Sequence, residues 1–486
     1  MTYDIAIIGG GINGTAIARE AALNGLTTLL LEKDDLASHT SSASTKLIHG
    51  GLRYLEYYEF RLVREALKER EVLLRQAPHL IYPLQFVLPH EYALRPWWLV
   101  RLGLWLYDTI GGKISLPRSR GLRKTDTVFT TPLKSGKSKG FVYSDCWVDD
   151  ARLVVLNALD ATYNGAKVRT RTGVKSARRS DKGWDLALDD GTSVSAKALV
   201  NAAGPWVADM VARAGVNSKA SVRLIKGSHI IVPALFQGNH AYMLQQPDGR
   251  IVFAIAYDYG STLVGTTDEA VDTPEEARIT DAEKIYLCAS VNRYFKRQTD
   301  PTDVIGTFSG VRPLYDDGAS EAKAVTRDYV LELDENGPPL LSVFGGKITT
   351  ARHLAEEAIG RLGKAARWKT SPATRTEALP GGNLQQGFES FLKDVRTRWP
   401  FLGDDRSERM ARAYGTMLMQ MLADVRQLSD MGEDFGAGLT KVEVDWLVQH
   451  EWARDAEDIL LRRTKIGLAT GEKTVATLTR YINERA

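Results

Sequence analysis

Cysteine is nearly missing from this chain of 486 residues, which has Cys146 and Cys288 and no others. That excludes a disulfide framework and any cysteine-built metal centre, and it suits a reducing compartment. An excess of one charge is missing too. Lys and Arg number 63 against 60 Asp and Glu, and a net charge of +3 gives no footing for nucleic acid. No apolar run reaches the roughly 20 residues that span a bilayer. The first strand pattern begins at Ile5, which leaves no room for a signal peptide, so a cytoplasmic location is expected. No P-loop, nucleophile elbow or zinc spacing occurs, and the eight histidines do not cluster, so no metal is expected. The composition is otherwise that of a soluble protein with two or three domains.

Glycine, by contrast, is concentrated where it carries information. Ile5 to Ile8 predict a buried strand that runs into Gly9-Gly10-Gly11-Ile12-Asn13-Gly14. A helix follows from Thr15 to Asn24, and a second strand from Thr27 to Leu31 ends on Glu32. In that context a G-x-G-x-x-G pattern predicts a dinucleotide cradle. Gly9 serves the tight turn, Gly11 the approach of a pyrophosphate, and Gly14 the packing of helix on strand. The helix N-terminus offers free N–H groups to phosphate. Glu32 is placed to accept from a ribose diol.

Farther along, Phe60 to Ala77 has the apolar periodicity of an amphipathic helix, stopped by Pro78. Asp149 to Asn164 predicts another. Strands are expected at Lys167–Arg171, Val174–Arg178, Trp184–Leu188 and Ala198–Asn201, then densely from Arg223 to Thr267. Glu275 to Gln298 predicts a helix, and strands return at Val304–Arg312, Tyr329–Leu333 and Leu340–Val343. Gly345-Gly346-Lys347 should open a helix running to about Leu362. Past a linker at Pro380-Gly381-Gly382 the pattern is all helix, with Thr440 and Glu443 as a capping box. The fold class is therefore α/β. A discontinuous nucleotide-binding domain (1–80, 140–220, 335–370) is expected, with an insertion at 81–139, a strand-rich substrate cap at 221–334 and a helical domain at 380–486.

One Rossmann unit does not distinguish nicotinamide from flavin. Two later segments favour flavin. The strand Ala198 to Asn201 ends in Ala202-Ala203-Gly204-Pro205-Trp206, small enough for backbone to lie along an extended cofactor. Lys347, at a helix start, would stabilise the negative charge of reduced flavin. The hydroxyl-rich run Ser41 to Lys46 is expected to hold pyrophosphate and ribityl oxygens.

At this point the residues carry a resemblance. Ser41-Ser42-Ala43-Ser44-Thr45-Lys46-Leu47-Ile48-His49-Gly50-Gly51-Leu52-Arg53-Tyr54 is similar to the signature of the FAD-dependent, respiratory glycerol-3-phosphate dehydrogenases. The likeness continues at Tyr143 to Leu153, Arg223 to His229, Gly265 to Asp268, Ser309 to Leu314, Thr326 to Tyr329, Phe344 to Thr350, His450 to Arg454 and Arg462 to Lys465. It covers nearly the whole chain, with Ala256-Tyr257 as a local departure. The resemblance implies a Rossmann-type fold of the glutathione-reductase/D-amino-acid-oxidase kind. It also implies FAD as cofactor, glycerol 3-phosphate as substrate and a membrane quinone as acceptor, with an oxygen-using glycerol-3-phosphate oxidase as the alternative. A homodimer is a further expectation.

Under that resemblance the roles divide as follows. Arg53 and Arg327 are assigned to the phosphate end, because planar bidentate donors suit a dianion, and Tyr54 is a further expected substrate contact. Arg312 is assigned to the oxygen at C2, and Lys347 to reduced flavin or the alkoxide. His229 is the candidate base and His49 the runner-up. The remaining expected cofactor contacts are Ile12, Asn13, Ser41, Ser42, Ser44, Lys46, Gly50, Gly51, Val174, Ala203, Gly204, Trp206, Gly346, Ile348 and Thr349.

Pro96 to Tyr107 is rich in Trp and Leu but too short to cross a bilayer. The basic residues Lys113, Arg118, Arg120, Arg123, Lys124, Lys134, Lys137 and Lys139 follow it, against the single acid Asp126. A peripheral position on an anionic lipid surface, the cytoplasmic face of the inner membrane, is expected.

Overall fold

The computed structural model describes residues 2–136, 139–218, 220–316 and 328–485. Two large sheets organise them. The first runs Val330–Asp334, Leu340–Phe344, Ser193–Asn201, Thr2–Ile8, Thr28–Leu31, Lys167–Arg169. All neighbours are parallel except the first pair. Parallel strands covered on both faces need continuous apolar sequence, which is why Ile5 to Ile8 and Leu29 to Leu31 are all buried. A hairpin, Val174–Ser180 with Gly183–Leu188, hangs antiparallel from Ser193–Asn201. Helices Ile12–Leu23, Asp150–Tyr163 and Ala351–Ala366 cover one face.

The second sheet runs Glu269–Ala270, Val222–Pro233, Ser261–Gly265, Ile251–Tyr257, His240–Gln245, Ile81–Pro89, Gly140–Val148, Leu47–Ile48. Gly306–Tyr315 pairs along Val222–Pro233 from Val222↔Tyr315 to Ile231↔Gly306. Here the structure differs from the expected division. Ile81–Pro89 and Gly140–Val148, assigned to the insertion and to the nucleotide domain, are paired with each other inside the cap sheet. Strand partnership is a long-range choice that local pattern does not encode.

Four smaller expectations are corrected. The helix expected from Glu275 begins at Asp281, where Thr280 and Glu283 form a capping box, and ends at Asn292. A short 3-10 turn, Ile348–Thr350, intervenes before Ala351–Ala366. The C-terminal region holds a small hairpin, Asp434–Gly436 with Leu439–Thr440, among its helices. The capping box of Thr440 does not form. Glu443 is buried and accepts from Arg409 at 2.7 Å and from Tyr414 at 2.8 Å. A charged guanidinium is a stronger partner for a buried carboxylate than a backbone amide.

The C-terminal helices do not stand apart. Met410, Leu418 and Leu447 lie in the same apolar core as Ile17, Val154 and Ile359 of the nucleotide-binding half.

Candidate active site

A cavity of about 580 Å³ opens at the carboxyl ends of the parallel strands, where ligands of open α/β sheets bind. Gly9, Gly11, Ile12, Asn13, Glu32, Ser41, Val174, Ala203, Gly204, Trp206 and Gly346 are among the residues that line it. The three cradle glycines do different work. Gly9 has φ +112°, and a Cβ on Gly14 would fall 1.9 Å from its carbonyl oxygen. A Cβ on Gly11 would meet only Ser41 Oγ, at 3.0 Å, so Gly11 leaves the cavity side open. The turn fits a pyrophosphate approaching the N-terminus of Ile12–Leu23.

Around this turn the loops are tied together. The Ile12 amide donates to Ser41 Oγ at 3.0 Å, and Asn13 Nδ2 to the Gly345 carbonyl at 3.2 Å. Glu32 accepts the Gly10 amide at 2.6 Å and the Asp34 amide at 2.8 Å. Burial pushes its carboxyl above the usual range, against these two donors. Trp206 closes the far wall, with Lys33 3.6 Å over its ring and its Nε1 donating to Glu275 at 3.1 Å. Lys33 was not anticipated, since a surface lysine gives no signal in sequence. At the rim Glu32, Asp34 and His39 bring ligand atoms within 4.8 Å of one another. Glu32 is engaged by the loop amides, and His39 Nε2 lies 2.7 Å from Asp34.

Beyond the cradle lie the residues expected to meet substrate. Lys347 Nζ stands 4.4 Å from the centre of the Tyr54 ring, and the His49 amide donates to Thr349 Oγ1 at 3.3 Å. Burial, with the Lys347 and Arg70 cations adding, pushes the His49 imidazole down to about 4. Gly51 has φ +75° and lies against the Tyr54 ring, while Ile348 packs on the core. Arg53 is half-buried. It reaches Tyr57 Oη at 3.3 Å and has no acid at ion-pair distance among the described residues. Arg312 pairs with Asp268, and its Nη2 donates to Thr266 Oγ1 and the Thr267 carbonyl, both at 3.0 Å. This guanidinium crosses the space where Gly227 would carry a Cβ, 1.8 Å from Nη2. Arg327 lies outside the described residues.

His229 is buried, stacked on Phe308 at 4.7 Å, with Nε2 3.0 Å from Thr45 Oγ1 and Nδ1 without a partner. Burial, then the nearby Lys46 and Arg312 cations, hold it well below the usual imidazole range. It is neutral at physiological pH.

Ser42, Ser44 and Lys46 depart from expectation. Ser42 Oγ donates to the His39 carbonyl at 3.3 Å, and Ser44 Oγ to Asp150 at 2.8 Å. Lys46 Nζ is buried on Asp150, at 2.9 and 3.0 Å, and on the Ser42 carbonyl at 3.0 Å. These side chains brace the loop from behind, because a buried ammonium goes to the nearest carboxylate. Sequence reasoning also passed over Asp145 and Asp150, two buried acids in apolar strand and helix contexts where charge is costly. That mismatch was the available signal.

Residues 4–352 match the model of the FAD dependent oxidoreductases, and residues 372–485 that of the C-terminal domain of α-glycerophosphate oxidase. The chain is 53% identical to a glycerol-3-phosphate dehydrogenase of Pseudomonas aeruginosa, over 99% of this chain and 95% of that one. It is 50% identical to a D-erythritol 1-phosphate dehydrogenase of Brucella abortus, over 96% and 94%. A solved glycerol-3-phosphate dehydrogenase of Bacillus halodurans, complexed with FAD, superposes with a TM-score of 0.78 at 26% identity, covering 99% of this chain and 90% of that one. The cradle, the glycine left open at position 11 and the helix terminus behind it fit such a dinucleotide. The chain is an enzyme of the FAD-dependent oxidoreductases, belongs to the glycerol-3-phosphate dehydrogenase family within them, and has FAD as its cofactor.

Proposed function

We propose that this enzyme oxidises sn-glycerol 3-phosphate to dihydroxyacetone phosphate and passes the electrons to a membrane quinone. The observation that carries this is the set of cations beyond the cradle, Arg53, Arg312 and Lys347, beside two neutral imidazoles, His229 buried and His49 half-buried. A phosphate dianion needs the first, and a secondary alcohol losing its proton needs the second. Bound FAD supplies the acceptor for the C2 hydride. Arg53, with no acid at ion-pair distance among the described residues, binds the phosphate end together with Arg327. Arg312, oriented by Asp268, faces the C2 oxygen. His229 takes the hydroxyl proton on an unprotonated ring nitrogen, and Lys347 steadies negative charge on the flavin side.

The likeness to an erythritol phosphate enzyme favours a second reading, in which a longer polyol phosphate is the substrate. Anaerobic mixing tests both. The flavin band should bleach fastest with glycerol 3-phosphate, slower with D-erythritol 1-phosphate and not at all with glycerol. Faster bleaching by the erythritol ester supports the second reading, and bleaching by glycerol rejects the phosphate site. Reoxidation in air that needs no quinone would favour the oxidase alternative.

The acceptor reading rests on helix Trp97–Ile110. Leu104 and Tyr107 are buried, whereas Trp98 is 65%, Leu102 50% and Trp105 54% exposed. Among the described residues no helix is long and apolar enough to cross a membrane. Trp at a helix surface beside exposed Lys113, Arg118, Arg123 and Lys124 suits a headgroup boundary. Each cation adds about 1 kcal/mol of attraction to anionic lipid. Arg120 is already paired with Asp126 at 2.6 Å, and Lys137 lies outside the described residues. The enzyme thus sits peripherally on the cytoplasmic face of the inner membrane.

A further inference from the structure

The loop from Asp35 to Lys46 supplies Ser41 to the cradle and His39 and Thr40 to the cavity wall. It holds only one 3-10 turn, Thr40–Ser42, and between Ser38 and Lys46 it offers little apolar surface to fix it. Such a segment loses roughly 1–2 kcal/mol of backbone entropy per residue on ordering, so its shape needs anchors. Both anchors come from one stretch of the C-terminal domain. At the start of the loop, Asp35 accepts from Arg462 Nε at 2.7 Å and from both terminal nitrogens of Arg463, at 2.8 and 2.7 Å. At its end, Asp150 holds Ser44 and Lys46 from below, and the same carboxylate receives Lys465 Nζ at 2.6 Å. Asp149 adds a second partner to Lys465 at 2.9 Å.

The charges at the centre of both anchors are buried, while Lys465 and Asp149 are half-buried. Arg463 and Asp150 are 0% exposed, and Asp35 is 3% exposed. Buried ion pairs are a poor means of gaining stability, since desolvation offsets most of the attraction. Two of them on the two ends of one polar loop make sense as devices that select a single loop conformation. The segment that provides them is itself irregular. Asp458–Arg463 is a π-helix, and Lys465 has φ +55°. The Arg463 guanidinium is further aimed by the Glu451 carbonyl, which it reaches at 2.7 and 3.1 Å.

We infer that Arg463 and Lys465 are positioning residues for the cofactor: the C-terminal domain straps both ends of the Asp35–Lys46 loop and thereby sets how tightly FAD is held. The inference rests on assigning that loop to the FAD cradle. The strap acts through Asp35 and Asp150 and touches neither FAD nor substrate.

The test is the rate at which FAD leaves the full-length holoenzyme on dilution, read by recovery of free flavin fluorescence. Lys465→Met and Arg463→Met should each release FAD at least about tenfold faster, because each removes one of the two cations that hold a buried carboxylate under the loop, leaving only Lys46 on Asp150 or only Arg462 on Asp35. Lys465→Arg keeps the charge and should stay within about threefold of wild type. Arg409→Met breaks an ion pair inside the C-terminal domain (with Glu443) and should lower Tm without changing FAD release. Wild-type release from Lys465→Met and Arg463→Met overturns the strap, and so does equal acceleration by Arg409→Met. If Arg463→Met does not fold, the contrast between Lys465→Met and Lys465→Arg decides alone. Gly11→Val separates the two levels. If it sheds FAD and Lys465→Met does not, the strap fails and the cradle stands. If neither sheds FAD, the cradle assignment has failed as well.

Discussion

The Tyr107 hydroxyl accepts the Gly50 amide proton at 2.7 Å while donating to the Asp145 carboxylate, and Arg70 closes the cluster on Asp145 at 2.7 Å. Tyr107 belongs to the helix whose other face carries the exposed tryptophans, and Gly50 follows His49 in the loop that leads to Arg53 and Tyr54. One hydrogen bond therefore joins the outward-facing helix to the candidate substrate loop. Tyr107→Phe leaves a buried amide unpaired, at about 1–3 kcal/mol. Its expected result is a higher KM for glycerol 3-phosphate with FAD content retained. An unchanged KM beside a lowered Tm would make the bond purely structural.

Gly11→Val and Gly14→Val should fail in different ways. A side chain at Gly14 meets the Gly9 carbonyl and disrupts the turn, so soluble yield falls. At Gly11 it enters the cavity and leaves the fold intact, so the protein is soluble and colourless. Circular dichroism with the flavin absorbance separates the cases. A yellow Gly11→Val protein would show that the cofactor does not lie over this turn.

Arg312→Met and Arg327→Met should also differ. Loss of a donor to a developing oxyanion lowers turnover by ~10²–10³, whereas loss of a phosphate ligand mainly raises KM. Asp268→Asn, which frees the Arg312 guanidinium from its ion pair, should follow Arg312→Met in kcat with a smaller loss. Matching changes in both parameters for the two arginine variants would reverse the assignment.

Acid stability should depend on Glu283. Burial opposes its ionisation, but donors from Thr280, Thr267, Lys226 and Ser228 outweigh that and leave its pKa at about 2. A carboxyl with a depressed pKa contributes stability that is complete above its unfolded value and is lost as pH falls. The loss should spread from about pH 4.5 down to about pH 2. Glu283→Gln should lower Tm at neutral pH and flatten its fall across this window. A parallel fall in the variant would remove Glu283 from the account.

Replacing Trp97, Trp98 and Trp105 by Ser should release the enzyme from anionic vesicles while leaving activity with a water-soluble dye. Trp97 also stacks on Phe141 at 4.0 Å, so the Trp98 and Trp105 double variant is the cleaner test. Wild-type protein that ignores such vesicles at low salt would end the membrane proposal.

By itself the sequence determined the cradle. Gly9, Gly11, Gly14 and Glu32 stand on consecutive local elements, and their spacing is dictated by a turn, a helix start and the next strand, all within reach of short-range pattern. The helices Phe60–Gln76 and Asp150–Tyr163 were legible for the same reason, as apolar periodicity and caps are local. Tertiary structure decided what depends on partners far apart in the chain. It placed Ile81–Pro89 in the cap sheet, turned Glu443 from a cap into a partner of Arg409, and drew Lys46 off the cavity onto Asp150. It also brought Arg463 and Lys465 onto Asp35 and Asp150 across more than 300 residues of sequence. A charge in a sequence has no partner until the fold supplies one. Once buried it takes the nearest opposite charge, because desolvation makes an unpaired ion too costly to keep.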